Sequence, residues 1–182
     1  MKQRMFSIGI LIFAAASARA QIGIYGKFDL TNYTNRNDNT TTLLHGGGVG
    51  IYDDFLHVGP VHAGLDLRGS LQSGTNLSYR NLLVGVRVGV KPPILPIRPY
   101  IQGSVGVGGT RYTGTTAAGI TNVPYERKLT YEVLGGIDLT IFPHFDFRAI
   151  ELGYGQQSGV GSRSNTPATT LFLVSTGLVF RL

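Results

Sequence analysis

The stretch Val61-His62-Ala63-Gly64-Leu65-Asp66-Leu67-Arg68-Gly69-Ser70-Leu71 decides the fold class of this chain. Val61, Ala63, Leu65, Leu67, Gly69 and Leu71 fall on one side of an extended backbone, and His62, Gly64, Asp66, Arg68 and Ser70 fall on the other. Successive side chains of a β-strand point to opposite faces, so the pattern describes a strand with one apolar and one polar face. The run is also long, about twice the five or six residues usual for a strand in a soluble domain.

The same period of two recurs on either side. Upstream, Ile22, Ile24, Gly26, Phe28 and Leu30 alternate with Gly23, Tyr25, Lys27, Asp29 and Thr31. Downstream, Leu82, Val84, Val86, Val88 and Val90 oppose Leu83, Gly85, Arg87 and Gly89. Leu129, Tyr131, Val133, Ile137, Leu139 and Ile141 oppose Thr130, Glu132, Asp138 and Thr140. The last segment sets Phe172, Val174, Thr176, Leu178, Phe180 and Leu182 against Ser175, Gly177 and Arg181. Eight strands are expected in all, over 22–33, 44–56, 61–72, 80–91, 99–110, 128–142, 145–156 and 169–182. Most match the roughly 9–11 residues that a tilted strand needs to cross a bilayer.

The connections alternate in character. Those expected to be long and polar run through Asn35-Arg36-Asn37-Asp38-Asn39-Thr40-Thr41-Thr42, Gln72 to Ser78, Arg111 to Arg127, and Gln157 to Ala168. Those expected to be tight or proline-bearing are His57-Val58-Gly59-Pro60, Pro92-Pro93-Ile94-Leu95-Pro96 and Pro143-His144. Long loops outside and short turns inside are the habit of outer-membrane barrels. The expected fold is therefore all-β, an eight-stranded antiparallel up-and-down transmembrane barrel with both termini on the short-turn side.

Composition narrows the function classes. Of 182 residues, 42% are hydrophobic and only 14% charged, with 26 glycines and no cysteine. The low charge sits well below the roughly 25% of a soluble domain, and without cysteine there is no disulfide, thiolate metal site or lipobox. No run past the first twenty residues could span a bilayer as a helix. Residues 1–20 are read as a cleavable signal peptide: Lys2 and Arg4 form a positive start, Met5 to Ala16 an apolar stretch, and Ala18-Arg19-Ala20 a small-residue cleavage site. Cleavage after Ala20 leaves a barrel domain of 21–182 with a net charge of about +3, since three of the sixteen basic residues and no acid lie in the leader. The remaining basic residues are scattered, so no nucleic-acid partner is expected.

The C-terminal run Ser175-Thr176-Gly177-Leu178-Val179-Phe180-Arg181-Leu182 resembles the terminal β-signal of outer-membrane proteins, carried by Gly177, Phe180 and Leu182. Leu182 stands where the family usually carries phenylalanine or another aromatic. With the leader and the eight segments, residues 21–182 resemble the small outer-membrane β-barrels of the OmpA and OmpX type, with no peptidoglycan-binding domain expected after the barrel. The resemblance implies an outer-membrane location, insertion by the barrel-assembly machinery and periplasmic chaperones, contact with membrane lipids and lipopolysaccharide, and a monomer.

In lipid the polar faces must turn inward. The expected lumen network is Asp66, Arg68, Arg87, Glu132, Asp138, Glu151 and Arg181, with Arg148 and His62 beside it. An eight-stranded barrel holds only side chains, not a channel, so arginines are expected to pair with carboxylates there. Tyr25, Tyr33, Tyr52, Phe55, Tyr100, Tyr112, Phe142, Phe145, Tyr154 and Phe180 are expected at strand ends as interfacial girdles. Glycines such as Gly136 are expected to make room for large inward side chains. Gly106-Val107-Gly108-Gly109 lacks the lysine and helix of a phosphate loop.

No catalytic residue, cofactor or metal site is expected. His57 and His144 fall at inner turns and only His45 lies near the outer end, with no serine beside it in sequence. The expected function is a non-enzymatic structural or surface-interaction barrel. The alternatives are a soluble or periplasmic lipid-binding barrel, told apart by an apolar lumen, and an outer-leaflet lipid-modifying enzyme.

Overall fold

The computed structural model describes residues 21–35, 39–116, 119–122, 125–158 and 169–182. The leader expected over 1–20 and most of the last long connection lie outside these. The described residues form β1 (Gln21–Asn35), β2 (Thr40–Val58), β3 (Val61–Ser73), β4 (Leu77–Val90), β5 (Ile97–Thr116), β6 (Gly119–Asn122), β7 (Glu126–Phe142), β8 (Phe145–Ser158) and β9 (Thr169–Arg181). All pairings are antiparallel. Eight strands follow one another around a ring, which β1 closes against β9, so no sheet edge is left open. Closure lets every strand satisfy its backbone groups without water, the condition for crossing a hydrocarbon layer.

Alternation places the two faces as the sequence implies. Leu67, Val84, Val105 and Tyr131 stand in one register row on the outside of β3, β4, β5 and β7, and each is 42–51% exposed. The charged partners on the same strands point inward and are buried. An apolar exterior around a polar interior is the arrangement of a membrane barrel, and the opposite of a soluble lipid carrier.

Several expectations about the connections need correction. The strands extend further than the hydrophobic pattern marks, and they absorb loop residues. Thr40–Thr42 belong to β2, and the expected loop from Gln72 to Ser78 reduces to Gly74-Thr75-Asn76, closed by the Gly74 amide on the Leu77 carbonyl at 2.7 Å. The stretch Arg111 to Arg127 is not one loop, because β5 runs on to Thr116 and pairs with the short β6. Thr34 and Thr41 continue the β1–β2 ladder above the apolar belt, their hydroxyls 3.1 Å apart, because water can cover polar side chains there. Two inner turns are tight, Gly59 supplying the positive φ (59°) of the β2–β3 turn and Pro143-His144 alone joining β7 to β8, while the proline-bearing connection of β4 to β5 spans 91–96.

A β-bulge in β8 decides the register of the lumen. Asp146 and Arg148 point inward, but so does Glu151, three residues on, which strict alternation forbids. The register shifts between Arg148 and Glu151 against β9, and between Arg148 and Ile150 against β7, taking up Ala149. One extra residue resets the parity. It allows both ends of the Arg148–Glu151 pair to face the same interior.

Candidate functional site

The lumen is where the chemistry-bearing side chains meet. Glu151 on β8 is its node. Its carboxylate accepts from Lys27 Nζ on β1 at 3.1 Å, Arg68 Nη1 on β3 at 3.1 Å, Arg148 Nη1 at 3.2 Å and Tyr100 Oη on β5 at 2.6 Å. In the ring β3 lies four strands from β8, so the Arg68–Glu151 pair crosses the barrel at its full width.

Two further carboxylates extend the node. Asp66 accepts from Tyr25 Oη at 2.8 Å, Arg68 Nε at 2.9 Å and Gln102 Nε2 at 2.7 Å. Asp138 accepts from Arg148 Nε at 2.9 Å and Arg87 Nη2 at 2.8 Å. The guanidinium of Arg148 also lies over the rings of Tyr25 and Tyr100, at 4.4 and 4.9 Å, and that of Arg87 over Tyr52 and Tyr100, at 4.2 and 3.8 Å. Buried charges are tolerable only when paired and hydrogen-bonded, and these meet both conditions. Glu132 is the least committed member, accepting from Asn81 Nδ2 at 3.2 Å. Arg181 sits lower, with Asp146 at 2.8 Å.

All seven charges expected in the network are therefore buried in the lumen, but they are not one cluster. Arg148 joins Asp138 and Glu151, through which Arg87 and the Arg68–Asp66 pair are linked, while Glu132 and Arg181 hold separate partners above and below. Lys27, Asp29, Asp146, Tyr25, Tyr100 and Gln102 belong to the network and were missed. Their parity was legible, since Lys27 and Asp29 lie on the polar face of the first segment and Asp146 shares the side of Arg148. His62 does not join Asp66: its ring meets that of His57 edge-on at 4.8 Å.

The aromatic girdle also needs correction. Phe55, Phe142, Phe145, Tyr154 and Phe180 are outward and 38–64% exposed, but Tyr112, opposite Leu77, has the parity of the lumen face, and Tyr25, Tyr33, Tyr52 and Tyr100 are buried in the lumen. A tyrosine carries both a ring that fills space and a hydroxyl that donates to a carboxylate, so a charged interior recruits it. Glycines opposite these rings give them room. A Cβ on Gly136 would lie 2.6 Å from the Tyr100 ring, and one on Gly23 would run into the ring of Tyr52.

The two ends differ. Above the ion pairs, Tyr33, Leu44, Leu77, Tyr79 and Leu171 form an apolar plug across the outer part of the lumen. At the inner mouth Arg98, half-buried, donates to Gln21 Oε1 at 3.3 Å. The Arg98 charge, together with partial burial, holds the Lys91 ammonium in the neighbouring turn below its ordinary value. On the outer wall the structure supplies what the sequence does not: His45 and Ser73 are direct register partners, both exposed on the outside, though no hydrogen bond joins them. Among the described residues no group of three or more His, Asp or Glu could hold a metal ion.

No protein-family model and no curated protein sequence matches the chain. Solved structures do. Neisserial surface protein A aligns over 88% of this chain and 97% of its own, with a TM-score of 0.59 at 9% identity. Ail, the attachment invasion locus protein of Yersinia pestis, aligns over 90% and 99% with a TM-score of 0.53 at 12% identity. The outer membrane enzyme PagL aligns over 83% and 97% with a TM-score of 0.56 at 10% identity. At such identities the likeness shows the fold, and that fold carries both enzymes and non-enzymes. With its apolar wall, closed ring and ion-paired interior, this chain has the fold of the small eight-stranded β-barrels of the outer membrane.

Proposed function

We propose that the protein is a non-enzymatic barrel, a closed scaffold that braces the envelope and presents its outer edge to matrix, host surface or phage. The observation that carries this reading is the Glu151 node. Four donors from four strands converge on one carboxylate across the lumen, so the interior is committed to holding strands together rather than to passing solutes. The network is then a brace. Gly177 and Phe180 in β9, with Leu182 just beyond it, act as the assembly signal for the barrel-assembly machinery, and a monomer suffices because one chain closes the ring. Resemblance in fold to a Neisserial surface protein and to an attachment invasion locus protein supports a role at the cell surface.

Two measurements test it. Reconstituted in a planar bilayer, the barrel should show no steady conductance, and a persistent open channel would overturn the closed-scaffold reading. Cells bearing the protein should bind a surface or matrix ligand that cells bearing a version with all four outer connections shortened do not. Equal binding by both would remove the surface-interaction role.

A second reading rests on His45 and Ser73. Directly opposed residues on one sheet face have Cβ atoms about 5 Å apart, within reach of a base and a hydroxyl nucleophile. Their place on the outer wall suits hydrolysis of an outer-leaflet acyl ester. Release of fatty acid from outer-leaflet lipid by the wild type, but by neither His45→Ala nor Ser73→Ala, would install this reading in place of the first.

A further inference from the structure

Three arginines stand together on the outer wall, at the end of the barrel opposite the chain termini. Arg80 on β4 and Arg127 on β7 are both register partners of Gly109 on β5, so one row across three strands reads arginine, glycine, arginine. Both arginines are exposed. Their Cα atoms are two strand spacings apart, about 9.6 Å, and glycine puts no side chain between them. Two residues deeper, the row is Leu82, Val107 and Leu129, all outward and 42–60% exposed. A shallow apolar groove runs from Leu71, Leu82 and Val107 up to the two guanidiniums.

No described carboxylate pairs with Arg80, Arg111 or Arg127, whereas every described ion pair lies in the lumen. The ring of Tyr125 instead holds Arg80 at 3.8 Å and Arg111 at 5.0 Å. Cation–π contact fixes a guanidinium without spending its hydrogen-bond donors. Arg111 also has a buried Nε with no acceptor, a loss that an anionic oxygen beside it would remove.

The geometry points to a binding site for a phosphate-bearing lipid of the outer leaflet. Its phosphate is bridged by Arg80 and Arg127 over Gly109, with Arg111 alongside, and one acyl chain lies along Leu82 and Val107. Arginine forks suit phosphate oxygens, and basic clusters at the rim of an apolar wall meet headgroups at the height where these lie. Free phosphate would gain nothing from the groove below, and a neutral lipid nothing from the guanidiniums. The site stands whether or not the outer connections touch another surface.

The test uses the whole barrel in neutral detergent, titrated with the diphosphorylated lipid anchor of lipopolysaccharide and with its dephosphorylated counterpart, binding being read by native mass spectrometry. The phosphorylated form should bind about tenfold tighter, and Arg80→Gln/Arg127→Gln should erase that preference. Arg80→Lys/Arg127→Lys should restore part of it, and Lys91→Gln, at the other end, should leave it intact. The shift in gel mobility between boiled and unboiled samples certifies that each variant is folded. Equal affinity for the two lipids, or unchanged preference in the double glutamine variant, would overturn the site. Full competition by millimolar inorganic phosphate would overturn its assignment to a lipid.

Discussion

Two levels of the lumen are filled by opposite chemistries. Around Glu151 the interior is ion pairs and tyrosine hydroxyls; one level outward, Tyr33, Leu44, Leu77, Tyr79 and Leu171 pack as an apolar plug. The plug stands between the charges and the outer solvent. A pair shielded from water attracts more strongly, but each partner left alone costs more. The plug thus sets how much is at stake in the network, while the network fixes which strands face one another. Neither level resembles the outer wall, where apolar side chains meet lipid rather than each other.

The largest expected effect comes from the node. Glu151→Ala leaves Lys27, Arg68 and Arg148 short of an acceptor, and should lower unfolding stability in detergent by about 3–5 kcal/mol. Urea titration of the refolded barrel measures it, and a loss near zero would mean that water already reaches the node. Leu44→Ala opens the plug and should cost about 2–4 kcal/mol. If the plug shields the ion pairs, the same variant should also speed hydrogen exchange at β1 and β8 amides beside Lys27 and Glu151. Unchanged exchange would separate the two levels.

The outer wall gives the contrast. Val84→Arg faces lipid and should cost about 2–4 kcal/mol in a bilayer, yet leave conductance and lumen exchange as they are. Gly136→Ala pushes a methyl toward the Tyr100 ring and should cost about 1–3 kcal/mol by overpacking. Adding Tyr100→Ala to it should recover part of that cost if the ring is the cause. The smallest equilibrium effect is expected for Leu182→Phe, about 0.5 kcal/mol or less. Its effect should fall on the rate of membrane insertion in cells, and an unchanged rate would argue against an assembly signal at this terminus.

Much of the fold was legible because a period of two needs only local geometry. Leu65, Asp66, Leu67 and Arg68 fall on alternate faces whatever the strand pairs with, and a bilayer then dictates which face turns outward. The seven expected lumen charges were legible for that reason. Arg148 was not secure, because alternation from Glu151 places it on the lipid side and only a bulge reverses this. The girdle failed at Tyr25, Tyr33, Tyr52 and Tyr100, since position near a strand end does not say which face a residue is on. Parity with Lys27 on β1 carried that signal for Tyr25 and Tyr33, and parity with Gln102 on β5 carried it for Tyr100.

Sequence by itself determined the eight strands of the ring, the apolar and polar faces, two tight inner turns and the balance of opposite charges, all properties of neighbours along one chain. Tertiary structure alone decided who meets whom: Arg68 with Glu151 across the full width of the barrel, His45 with Ser73 across a ladder, Arg80 with Arg127 on either side of Gly109. Those meetings depend on register, ring closure and a single extra residue at Ala149. Register is set by the sum of many contacts between strands distant in sequence, so no local pattern contains it.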